Sequence, residues 1–134
     1  MARRALRFMG WKRLACVLLG WVQLGHAHAQ DATTGLQIIS DRAKGNCVAC
    51  HALPAQSSSS GGITSTLGPT LAGIANRFNA LQLRQWVTDA RQIKPDTLMP
   101  PFGSTAGLNL PQPAIAVLTP EQIEHVVAAL QTWR

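Results

Sequence analysis

Apolar side chains recur every three or four residues in three stretches of this chain, and each stretch is bounded by residues that start or stop helices. The first begins at Thr33 or Thr34, either of which can cap it, sets Leu36, Ile39 and Ala43 on one face, and ends at Gly45. The second opens with Asn79 and Gln82 in capping-box spacing, carries Leu83, Trp86, Val87 and Ala90, and stops at Pro95. The third is the most sharply signalled. Thr119-Pro120-Glu121-Gln122 combines an N-cap, a proline at the first helical position, an acid at the positive end of the helix dipole and a capping-box glutamine. Ile123, Val126, Val127, Leu130 and Trp133 then follow at helical spacing. Gly68-Pro69 adds a turn into a brief helix around 71–74. Nothing in the pattern reads as strands alternating with helices, so the expected fold class is all-α, with three to four helices.

The connections read differently. Residues 55–67 are rich in serine and glycine and are expected to form a flexible surface loop. Asp96 to Gly103 contains Pro100-Pro101, which removes two backbone donors and fixes the local dihedrals, so this is a rigid loop rather than helix or central strand. Residues 104–118 form another loop, kept out of helix by Pro111 and Pro113.

Ahead of the first helix lies a different kind of segment. Arg3, Arg4, Arg7, Lys12 and Arg13 precede an apolar run from Leu14 to Leu24 and then Ala27-His28-Ala29, the layout of a cleaved secretory signal. Eleven residues interrupted by Gln23 are too few to span a bilayer. The expected domains are therefore a signal over 1–29 and one mature domain over 30–134, with no membrane span. The signal implies an oxidising compartment outside the cytoplasm, in a bacterium the periplasm. It also changes the meaning of the charge. The whole chain carries a net charge of +6, but the signal holds five of its twelve basic residues and none of its six acidic ones. Seven basic against six acidic residues leaves the mature domain at +1, so no basic surface for nucleic acid is expected.

Between the first two helices stands Cys47-Val48-Ala49-Cys50-His51, the C-x-x-C-H signature of covalent c-type haem attachment. Two cysteines three apart share one face of a helical turn, where both thiols reach the vinyl groups along one porphyrin edge. The next residue, His51, supplies an imidazole for one axial position on the iron. A C-x-x-C also occurs in thioredoxin-type redox pairs and in zinc sites. The redox pair wants a βαβ context that the pattern lacks. Zinc wants four ligands, and would have to use every cysteine and histidine of the mature domain, Cys47, Cys50, His51 and His125, so it is poorly supported.

Met99 is the only methionine left after the signal is removed. A lone methionine is commonly a gap-filler in a core. This one lies on the stiffened loop about fifty residues after the haem motif, where a soft thioether opposite His51 would complete a low-spin haem and raise its potential. Trp86 reads as a core aromatic, in a core that would include a porphyrin face. His125 falls between the apolar positions of the last helix and reads as a partly exposed helix residue rather than a ligand.

The motif Lys44-Gly45-Asn46-Cys47-Val48-Ala49-Cys50-His51, the Gly68-Pro69 turn, Gln85-Trp86-Val87-Thr88-Asp89-Ala90, Pro95-Asp96-Thr97-Leu98-Met99-Pro100-Pro101-Phe102-Gly103 and Leu118-Thr119-Pro120-Glu121-Gln122-Ile123 occur in that order over most of the mature domain. In this the chain resembles class I cytochromes c and, more narrowly, the SoxX family, the monohaem cytochrome subunits of bacterial sulfur-oxidation systems. The resemblance implies a class I cytochrome c fold, three to four helices around one covalently attached haem c. It implies thioethers at Cys47 and Cys50, iron ligation by His51 and Met99, and a hydrogen bond from His51 to the Pro69 carbonyl. It further implies a heterodimer with a SoxA-type cytochrome that couples thiosulfate oxidatively to a cysteine of the SoxYZ carrier, with electrons passed through this subunit to a downstream acceptor cytochrome. The serine-rich loop and residues 104–117 look longer than the family's compact pattern.

Two other functions fit the same residues. A stand-alone class I cytochrome c, shuttling electrons between a dehydrogenase and an oxidase, needs the same haem chemistry without an obligate partner. A haem-free exported binding module would instead carry a Cys47–Cys50 disulfide. The mature domain has no third cysteine and no serine or carboxylate constellation at a recognisable spacing, so it is expected to act within an enzyme complex and not as a catalyst alone.

Overall fold

A computed structural model describes residues 31–55 and 65–134. The expected export segment and most of the serine-rich loop lie outside these residues. Four α-helices form, with no strand among the described residues: α1 Ala32–Ser40, α2 Ile74–Arg77, α3 Ala80–Asp89 and α4 Pro120–Gln131. This is the all-α class that the periodicity predicts.

The helix starts follow local chemistry. At α4 the Thr119 hydroxyl accepts the Gln122 N–H while the Gln122 side chain accepts the Thr119 N–H, so two otherwise orphaned donors are satisfied. Asn79 and Gln82 make the same reciprocal pair at α3. At α1 the expectation is corrected. Asp31 is the cap, and Thr33 and Thr34 are the residues whose N–H groups it accepts. A carboxylate wins this position because it accepts both donors, and the Thr34 hydroxyl besides, and these hydrogen bonds hold its pKa below the usual carboxylate value.

The helix ends were less legible. α1 stops at Ser40 rather than Gly45, since the chain reverses so that the Gly45 N–H can reach back to the Ile38 carbonyl at 3.1 Å. Ala43, expected on the buried face, is consequently exposed. α3 stops at Asp89, well before Pro95, and a 3₁₀ turn over Ala90–Gln92 follows. Asp89 leaves helical geometry to cap that turn. The brief helix after Gly68-Pro69 starts at Ile74, so Leu71 precedes it as a buried loop residue.

α1 and α4 cross in close contact, and the crossing depends on a glycine. A side chain on Gly35 would run into the His125 backbone, and would meet the Ala129 methyl at 2.9 Å. The crossing is tied at one end by the Asp31 N–H, which donates to Nδ1 of His125 at 2.9 Å. α3 is joined to α4 by a forked ion pair between Arg84 and Glu124. Ile38 and Ile39 of α1, Leu83 and Val87 of α3, and Ile123, Val126, Val127 and Leu130 of α4 make the buried core, with Phe102 and Leu118 supplied by the loops. Burying each such side chain contributes about 1.5–3 kcal/mol over leaving it in water. No helix among the described residues is long and apolar enough to cross a membrane.

Candidate functional site

Beyond α1 the chain turns through Asn46, which takes a left-handed conformation that asparagine tolerates well, and enters a 3₁₀ turn over Cys47–Ala49. The Cys50 and His51 N–H groups both donate to the Cys47 carbonyl, at 3.1 and 2.9 Å. One short turn thus fixes both sulfur-bearing residues and the histidine. Cys47 and Cys50 are separate, unbridged thiols, each half-buried.

The histidine is gripped from a segment eighteen residues away. The Cys50 carbonyl accepts the Gly68 N–H at 2.7 Å and the Ala52 carbonyl accepts the Leu71 N–H at 2.9 Å, so residues 50–52 and 68–71 run side by side. This arrangement brings the Pro69 carbonyl oxygen to 2.7 Å from Nδ1 of His51. A carbonyl only accepts, so Nδ1 must carry the proton, and Nε2 is left with its lone pair available to a metal. Arg77 steadies the same segment by donating to the carbonyls of Thr70 (2.6 Å) and Ala72 (3.3 Å).

Met99 is half-buried on its double-proline loop, and its N–H donates to the Thr97 hydroxyl at 3.2 Å. The loop is anchored further on, where Phe102 and Gly103 N–H groups reach the carbonyls of Val87 and Thr88 on α3. Met99, Cys47, Val48, Leu53 and Phe78 all pack, half-buried, on the one hydrophobic core. Direct contacts therefore join Cys50, His51, Gly68 and Pro69, while Met99 is linked to the motif through the core on which Cys47 and Val48 also pack. Trp86 stands on α3 with its ring edge-to-face against Phe78, centroids 6.2 Å apart. Phe78 was not singled out from the sequence, because a lone aromatic between two short helices carries no periodic signal.

The donor set decides what these residues can hold. Two thiols, an imidazole with Nε2 available and one thioether suit a covalently attached haem whose iron takes nitrogen and sulfur ligands. The rival chemistries fit less well. Among the described residues no group of three or more His, Cys, Asp or Glu side chains is placed together as zinc coordination prefers. Burial pushes the Cys47 thiol up to about 11, so Cys47 is not the easily ionised thiol that attacks in a redox pair. Exposed apolar side chains flank the site in sequence, with Leu67 75% and Leu98 91% exposed. His125 is engaged by the backbone of α1 and takes no part in the cluster.

No protein-family model and no curated protein matches the chain. The fold is similar to that in the crystal structure of SoxXA from P. pantotrophus, with a TM-score of 0.69 and 33% sequence identity over 77% of this chain and 81% of that one.

Proposed function

Since this chain belongs to the SoxX-like cytochromes, we propose that it is the electron-transfer subunit of a SoxAX-type complex in the periplasm. Residues 1–29 are its cleaved export signal and 30–134 its single haem domain. Cys47 and Cys50 would hold haem c through thioethers, and His51 and Met99 would ligate its iron. Bound there, haem c supplies a one-electron ferric/ferrous couple.

The observation that carries this reading is the 2.7 Å contact between Nδ1 of His51 and the Pro69 carbonyl beside two unbridged thiols. The carbonyl fixes the tautomer and the ring plane, and by drawing on the Nδ1 proton it makes Nε2 a better donor. Met99, stiffened by Pro100 and Pro101, offers the soft ligand that favours the reduced state. Trp86 and Phe78, packed edge to face, would add apolar surface to a core that includes a porphyrin face. With His51 and Met99 both committed to the haem, and no further cysteine in the mature domain, the chain would offer thiosulfate no group to bind and activate it. That step belongs to a SoxA-type partner cytochrome, which couples thiosulfate to a SoxYZ cysteine, while this chain receives the electrons and passes them to a downstream cytochrome.

Purified alone with SoxYZ, the chain is expected to show no appreciable reduction by thiosulfate, and to be reduced once a SoxA-type cytochrome is added. Robust thiosulfate turnover by the isolated chain would overturn this division of labour. Failure of any second cytochrome to bind it would favour a freely diffusing electron shuttle instead.

A further inference from the structure

We infer that Gly68 is a positioning residue for the His51 imidazole, because only a residue without a side chain lets the backbone lie against the flat of that ring. The inference rests on His51 being an axial haem ligand. A Cβ on Gly68 would stand 2.5 Å from Cε1, 2.7 Å from Nδ1 and 3.0 Å from Nε2 of His51. Three ring atoms at such similar distances mean that the glycine faces the ring plane and not its edge. Left-handed backbone geometry does not explain the residue, since the glycines with positive φ among those described are Gly73 and Gly107. The requirement is one of space.

The neighbourhood leaves the ring few ways to yield. The Gly68 N–H is tied to the Cys50 carbonyl at 2.7 Å, the His51 N–H to the Cys47 carbonyl at 2.9 Å, and Nδ1 to the Pro69 carbonyl at 2.7 Å. Gly68 and His51 thus belong to one small hydrogen-bonded frame, and a methyl between them must tilt or displace the imidazole. The Nδ1 contact is then the first to lengthen. A weaker acceptor at Nδ1 makes Nε2 a poorer donor to ferric iron, so the reduced state gains relative to the oxidised one.

The test compares Gly68→Ala with Val126→Ala in the haem-loaded protein. Val126 is buried in α4 at 1% exposure, so its truncation reports on lost stability without touching the histidine. Gly68→Ala is expected to rearrange the haem-methyl proton shifts of the ferric protein and to raise the reduction potential. Val126→Ala is expected to lower the melting temperature and leave both readouts in place. Wild-type methyl shifts and potential in Gly68→Ala would overturn the inference. A second measurement needs no variant: the ferrous wild-type protein should show a nuclear Overhauser contact between the Gly68 α-protons and the His51 ring proton on Cε1, and its absence would equally overturn the inference. A wild-type chain that carries no haem at all would remove the ligand reading itself, which the Overhauser contact by itself cannot do, so the two failures are told apart.

Discussion

Asp89 and Arg91 close a forked ion pair across a single intervening residue, with Nε donating to one carboxylate oxygen and Nη2 to the other, both at 2.8 Å. Arg91 spends a further donor on the Ala106 carbonyl at 2.9 Å, so the pair fastens the 104–118 loop to the end of α3. The Arg91 guanidinium holds the Asp89 carboxyl down at about 2. Because the folded pKa lies below the ordinary aspartate value of 3.8, the stability this group contributes is fully present above that value and is lost as pH falls through about 2. Asp89→Asn should therefore lower the melting temperature at neutral pH, and the gap to wild type should narrow between about pH 4 and pH 2. Thermal melts over that range check it; a gap that stays constant down to pH 2 would rule out the ion pair as its source.

α4 offers a local test of what starts a helix. Thr119→Ala removes the hydroxyl that accepts the Gln122 N–H and should cost about 1 kcal/mol, read as a lower denaturant midpoint with unchanged slope. Asn79→Ala should behave similarly at α3.

These two helix starts were fully legible in the sequence because each is written in four consecutive residues. The ends were not. α1 stops at Ser40 because Gly45 returns to Ile38, and α3 stops at Asp89 because that side chain pairs with Arg91 and caps the next turn; neither contact shows in a hydrophobic period. The same division runs through the site. Cys47, Cys50 and His51 lie within five consecutive residues and announce themselves, and Pro69 is expected from family resemblance alone. Gly68 could be noticed as half of a Gly-Pro turn, but its approach to the His51 ring exists only after residues 50–52 and 68–71 have come together.

His125 is a half-buried residue of α4, as the sequence reading has it, and the structure adds a partner for it. Its Nδ1 accepts the Asp31 N–H, and Glu121 lies 4.0 Å from Nε2. A histidine occupied in this way joins α1 to α4 and is a poor candidate to replace a lost axial ligand. His125→Ala should leave the visible spectrum of the holoprotein unchanged while costing about 1 kcal/mol in stability, the usual worth of one hydrogen bond. A changed spectrum would show that it reaches the iron.

Met99→Ala should abolish the weak near-infrared band of methionine-ligated ferric haem, open the iron to small exogenous ligands and lower the reduction potential. Unchanged spectrum and potential would mean that another group closes the haem.

Whether Cys47 and Cys50 carry a covalent haem is tested most directly by the intact mass and visible spectrum of the chain purified natively from the periplasm, before and after acid extraction. The expected result is a chain beginning near Gln30, heavier than its sequence by one haem and showing a Soret band that survives the extraction, with both features lost when Cys47 and Cys50 are replaced by Ala. A wild-type chain whose mass matches the bare sequence, with no Soret band, would contradict the account.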